Sequence, residues 1–150
     1  MGNLEEEIKQ EKFANDTLKA LINVLYTANW IRDNHSDIFK EYKILSQHYN
    51  VLRIVKGRKG KPVTPGEIIK VMLDKGRDLT RLVDKLVKLG YLQREQSPIN
   101  RRKINISITE EGLRITNELE TKLNAWMNAK IKMSEEDTNV LNVLLDKMRS

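Results

Sequence analysis

Between positions 77 and 85 stand Arg77, Asp78, Thr80, Arg81 and Lys85, a row of side chains able to read an edge of hydrogen-bond donors and acceptors. Leu79, Leu82 and Leu86 are interleaved with them at helical spacing, so a helix puts the leucines on one face and the polar row on the other. A guanidinium presents two parallel N–H groups that match the acceptor edge of a guanine, which makes Arg77 and Arg81 the candidate base readers. A hydroxyl or an ammonium meets a phosphate oxygen, the chemistry available to Thr80 and Lys85. Asp78 can accept from a cytosine amine but repels phosphate. Further along, Arg101, Arg102 and Lys103 form a second cationic set suited to a phosphate backbone. The plain alternative for both sets is an ordinary solvated surface.

Charge distribution separates these readings. Residues 53–103 hold 15 basic and 5 acidic side chains, a net of +10, whereas residues 1–52 and 104–150 each carry −2. The whole chain is +6, with a pI near 9.5. A positive excess confined to one stretch is the electrostatic footprint of a polyanion site. In the 150 residues, 39% hydrophobic content suffices for one domain with a real core, and 5% aromatic with 32% charged content suits a helical protein with wide solvated faces.

The elements that must position these residues follow from periodicity and caps. Thr64-Pro65-Gly66-Glu67 is a helix start, with Thr64 as cap, Pro65 at the first helical position and Glu67 closing a capping box. Thr64 and the amides beside it are a further candidate phosphate contact. This helix is expected to end near Leu73. Asp74-Lys75-Gly76 makes a tight connection, and the next helix runs through Leu79, Leu82, Val83, Leu86 and Leu89 to a stop at Gly90. A hairpin follows, Tyr91 to Gln96 and Lys103 to Thr109. Its Ile104, Ile106 and Ile108 alternate with polar residues and are expected to face the helices. Two helices joined by a short turn and followed by a basic hairpin spell a winged helix-turn-helix. One helix of such a unit fits the DNA major groove and the hairpin lies beside it.

Upstream, Ser46 is expected to cap a helix to about Lys56, with Tyr49, Leu52 and Val55 inward. Asn3, with Glu6 as its box partner, opens a helix expected to reach about Asn34. A short segment from Ser36 or Asp37 through Ile44 should follow. Thr109 caps a long helix to about Met133, and Ser134 opens the last one. The first and last helices are apolar over a wider arc than one small domain needs, which predicts a central position or a partner chain.

Several classes of chemistry are excluded. The chain has no cysteine, so disulfides, thiolate metal sites and thiol redox sensing are absent. His35 and His48 stand apart, and no metal or cofactor is expected. No glycine-rich phosphate loop, nucleophile elbow or carboxylate pair is legible, so no catalytic residue is assigned and an enzyme is not expected. Leu4-Glu5-Glu6-Glu7 is acidic where a secretory signal needs a basic start, and no apolar run reaches membrane-spanning length. A cytoplasmic protein without membrane contact is expected.

Gln47-His48-Tyr49-Asn50-Val51-Leu52-Arg53, Thr64-Pro65-Gly66-Glu67-Ile68, Leu79-Thr80-Arg81-Leu82-Val83-Asp84-Lys85-Leu86 through Gly90, Ser97-Pro98 to Arg102, and Thr109-Glu110-Glu111-Gly112 together resemble the MarR family of bacterial transcriptional regulators. Order and spacing hold from about Leu45 to Leu113, and the flanking helices extend the resemblance over nearly the whole chain. It implies a mainly α fold with a small β-hairpin (α+β), in a single domain over 1–150. A winged helix-turn-helix lobe at 46–109 is flanked by dimerisation helices at 1–35 and 112–150. It further implies a homodimer that binds double-stranded DNA at a pseudo-palindromic operator, as a repressor responding to a small aromatic or anionic effector. Tyr26, Trp30, His48, Tyr49 and Arg53 are the candidates for the effector crevice; core aromatics plus one interface arginine is the plain alternative.

Two departures stand out. The family's wing carries Asp-x-Arg, whereas this chain has Asn100-Arg101-Arg102, so Arg102 is expected to be braced less firmly. Gly76-Arg77-Asp78 replaces small hydroxyl residues at the start of the recognition helix. A rival reading keeps the fold but gives it to docking a protein partner without DNA; the +10 segment argues against it.

Overall fold

A computed structural model describes residues 2–76 and 78–150. In chain order the elements are α1 (Leu4–Ile8), α2 (Asp16–Lys40), α3 (Ser46–Lys56), α4 (Pro65–Val71), α5 (Leu79–Lys88), β1 (Leu92–Gln96), β2 (Ile104–Ile108), α6 (Glu110–Lys130) and α7 (Glu135–Arg149). The chain thus adopts the mainly helical class with one antiparallel hairpin that the sequence led us to expect. Among the described residues no helix is long and apolar enough to cross a membrane.

The central lobe is built by side chains that leave water together. Leu52 of α3, Ile68 of α4, Leu86 of α5, Leu92 of β1 and Ile106 of β2 are all fully buried in one cluster. Each such burial is worth about 1.5–3 kcal/mol relative to exposure, so these five residues tie five elements into one body. In the hairpin Leu92 pairs with Ile108 and Gln96 with Ile104. Val63 adds a rung: its N–H donates to the Ile106 carbonyl at 2.9 Å, and its carbonyl accepts from the Ile106 N–H at 2.8 Å. That bridge fastens the α3–α4 connection to the hairpin.

The base of the hairpin is held by close backbone approach. Gly90 turns the chain out of α5 at φ 82°, a conformation costly for any residue with a Cβ. A Cβ on Gly112 would lie 2.0 Å from the Tyr91 carbonyl oxygen. The Thr109 hydroxyl donates to the Gly90 carbonyl at 2.5 Å and accepts from the Gly112 amide at 3.0 Å. Thr109-Glu110-Glu111-Gly112 therefore caps α6 and clamps it against the end of α5.

Several boundaries differ from the sequence expectation. The helix expected from Asn3 to Asn34 is two helices. Lys9 ends α1 in the left-handed region, and Asn15 recaps the chain by accepting from the Leu18 amide at 2.8 Å. α2 then passes through Ser36 and Asp37 to Lys40, so no separate segment starts there. Ser36 spends its hydroxyl on the Asp33 carbonyl inside the helix, at 2.8 Å. Ser46 is not a cap: Leu45 takes that position, and its N–H donates to His48 Nδ1 at 2.9 Å. α4 stops at Val71 because Met72 turns extended. Ile106 faces the helices as expected, but Ile104, at the open end of the hairpin, is 41% exposed.

Candidate nucleic-acid interface

α5 buries Leu79, Leu82, Val83 and Leu86 and leaves Thr80, Arg81, Asp84 and Lys85 in solvent, the segregation that 3.6-residue periodicity demands. The Arg81 side chain is 88% exposed. Asp78 caps α5, its Oδ1 accepting from the Arg81 amide at 3.4 Å, while Oδ2 lies 3.5 Å from Arg81 Nε. The acidic residue expected on the reading row is thus drawn into the helix start, where its charge complements the dipole. Arg77 lies outside the described residues. Beneath α5, His48 is buried; burial and then the Lys85 charge push its pKa down to about 4, so the ring is neutral and serves as acceptor for Leu45.

The hairpin tip has defined geometry. The Ser97 amide donates to the Lys103 carbonyl and the Lys103 amide to the Asn100 carbonyl, both at 2.9 Å. Asn100 Oδ1 accepts from the backbone amide of Arg102 at 3.1 Å, closing a turn. Asn100 therefore organises the loop backbone and leaves the Arg102 side chain unbraced, in line with the expectation for this substitution. Arg101, Arg102 and Lys103 are exposed, and among the described residues none of them is held in an ion pair.

An ion pair that sequence reasoning missed joins the two cationic sets. Arg94 of β1 reaches Asp84 of α5. It links a strand residue to a helix residue, and no single periodicity carries that signal.

Thr64 has a structural job. Its hydroxyl accepts from the Glu67 amide at 3.3 Å, and its own amide donates to the Glu67 carboxylate at 2.9 Å. That backbone bond, more than any other influence, holds the Glu67 carboxyl below the usual range, and Arg58 stands 3.9 Å away. A carboxylate of the protein's own thus engages the Thr64 amide, one of the groups offered there as a phosphate contact.

The five crevice candidates do not converge. Tyr49 and Arg53 line a cleft of about 930 Å³ between α2, α3, α6 and the α4–α5 turn, together with His35, Asn50 and Glu120. Tyr26 and Trp30 line a separate hollow against Lys130 and Met133 near the end of α6. His48 points into the core. The sequence could not separate them because the two hollows open on different sides of the α2–α6 contact, where Trp30 and His35 both pack on Trp126. His35 was the missed member of the larger cleft. It stacks edge-on against Trp126, with ring centroids 4.4 Å apart.

A helix pair joined by a short turn, a cationic row and a basic hairpin define a winged helix-turn-helix protein. Residues 42–103 match the model of the MarR family. The chain is 27% identical over 114 residues to the transcriptional regulator PecS of Dickeya dadantii, covering 74% of this chain and 68% of PecS. It is 31% identical over 97 residues to the regulator PapX of Escherichia coli, covering 65% of this chain and 59% of PapX. A cysteine-to-serine variant of E. coli MarR, solved in complex with operator DNA, superposes with a TM-score of 0.72 at 21% identity, over 91% of this chain and 98% of that one; this likeness is one of fold. The chain thus resembles the MarR family over residues 42–103, and the relatives it matches are named transcriptional regulators.

Proposed function

We propose that the chain is a homodimeric repressor that binds a pseudo-palindromic operator in double-stranded DNA. The observation that carries this reading is the coincidence of an exposed cationic face on α5 with an unpaired cationic wing, both inside the one segment of net +10. Arg81 reads base edges in the major groove. Thr80 and Lys85 hold phosphates, and Arg101, Arg102 and Lys103 fasten the wing to the backbone. Arg77, next to the described start of α5, is assigned to the same reading edge from its position in the sequence.

The lobe at 46–109 carries this interface, and the helices on either side of it form the dimer. Support for the dimer comes from α7, which buries no residue although Val140, Leu141, Val143, Leu144 and Met148 are all apolar. Small aromatic or anionic effectors enter the cleft beside Tyr49 and Arg53. An effector acts only through unequal affinity for two spacings of the paired lobes.

Selection of bound fragments from host genomic DNA, followed by salt titration on the enriched duplex, tests the reading. We expect one enriched site and a steep fall of affinity with salt through counterion release. Absence of enrichment, with protein partners captured in its place, would transfer the fold to the docking role.

A further inference from the structure

Core packing of Leu79, Leu82, Val83 and Leu86 seats α5, but the turn that leads into its N-terminal end from α4 has little packing of its own. Met72 before it and Leu79 after it are buried, while every described residue between them is exposed; Leu73 is 90% exposed. Such a segment gains no orientation from apolar burial, so hydrogen bonds must supply it. Met72 is extended, so the amide of Leu73 has left the helical ladder of α4. That amide donates to the side-chain Oδ1 of Asn50, 23 residues earlier on α3, at 2.9 Å.

α3 is the most securely seated helix of the lobe, with His48, Tyr49, Val51, Leu52 and Val55 buried around Asn50. The bond therefore runs from a rigid element to the first residue of the turn. Within the turn, the Gly76 amide donates to Asp74 Oδ1 at 3.1 Å, and Asp78 caps α5. The Asn50 bond thus fixes the entry to the turn at Leu73, and the Asp78 cap fixes its exit into the reading helix.

We propose that Asn50 is a positioning residue for sequence reading: its side chain holds the α4–α5 turn, and through it the angle at which Arg81 meets a base edge. This rests on the DNA-binding reading above. Asn50 carries no charge and its bond is to the turn rather than to the wing, so its loss acts on discrimination between sequences rather than on general attraction to DNA.

The test compares wild type, Asn50→Ala and Asn50→Asp on two duplexes, one enriched by wild-type selection and a scrambled one of the same composition. Alanine is the best helix former and Asn50 is only half-buried, so the fold is kept; the melting temperature checks this. Aspartate keeps an oxygen that can accept from Leu73. We expect Asn50→Ala to lower the ratio of the two affinities about fivefold, the worth of one hydrogen bond. Affinity for the scrambled duplex should stay unchanged. Asn50→Asp should preserve the ratio even if its added charge weakens both duplexes alike. Hydrogen exchange at the Leu73 amide should rise in the alanine variant and stay slow in the aspartate variant. An unchanged ratio in Asn50→Ala, or equal loss in both variants, overturns the proposal while leaving the DNA reading intact. A wild-type protein that does not distinguish the duplexes overturns that reading and the role of Asn50 with it.

Discussion

The lobe formed by α3 to β2 and the helices at the two ends of the chain handle apolar surface in opposite ways. In the lobe, Leu52, Ile68, Leu86, Leu92 and Ile106 are wholly buried in a shared core. In the end regions, α2 buries only Phe39 along its 25 residues, and α7 buries nothing, with Leu144 at 55% exposure. The two regions have similar apolar content in sequence, so the difference lies in what is available to cover it. The lobe core is closed with help from Phe39 of α2 and from Ile115 and Leu119 of α6, and it holds the exposed cationic face of α5 in place. The end helices are left with exposed apolar faces, which a second copy would cover under the proposed dimer. Stability of the reading head and assembly of the molecule are therefore separable properties, and the two regions should fail differently.

The comparison is broken most forcefully from the lobe. Leu52→Ala opens a cavity in the shared core, and we expect a loss of about 2–5 kcal/mol in urea unfolding. A loss below 1 kcal/mol, roughly the cost of an exposed change, would deny that the lobe core is tightly closed. In the end regions, Leu144→Asp should weaken self-association by about 2 kcal/mol or more, read by sedimentation, while the lobe stays folded. Wild type and variant sedimenting alike would remove α7 from the dimer surface.

Smaller effects sharpen the account within the lobe. Arg81→Ala should reduce discrimination between operator and random DNA by about 1–3 kcal/mol, because a base contact is lost. For His48 the sign follows from its folded pKa of about 4 against an ordinary 6.5. The folded state binds the proton less well, so stability is full above 6.5 and declines as pH falls toward 4. Between pH 7 and pH 5 we expect His48 to contribute a loss of about 1–2 kcal/mol that His48→Asn removes, leaving the part due to His35, which burial also holds below its ordinary value. A flat wild-type profile would contradict a buried neutral ring. Smallest is Arg102→Ala, which should weaken all duplexes alike and lower the salt slope by about one unit.

Much of this was legible before the structure, and the reasons are physical. The period-3.6 leucines of α5, the capping box at Thr64, the stop at Gly90 and the alternation around Ile106 are local signals that tertiary packing reinforces. The break at Lys9 and the continuation of α2 through Ser36 were not legible. The Asn15 cap competes with an equally plausible one at Asn3, and Ser36 satisfies itself inside a helix as readily as it starts one. The site was half legible. The cationic residues declare themselves by charge and spacing. The Arg94–Asp84 pair, the Asn50–Leu73 bond and the separation of Tyr26 and Trp30 from Tyr49 and Arg53 are products of three-dimensional placement with no periodic trace.

A footprint of the protein on its selected duplex, with dimethyl sulfate reading guanine N7 in the major groove and hydroxyl radicals reading the sugar backbone, tests the central claim most directly. The account predicts two protected major-groove patches about 10 bp apart, each flanked by backbone protection from a wing. A single patch, or protection without any groove periodicity, would contradict it.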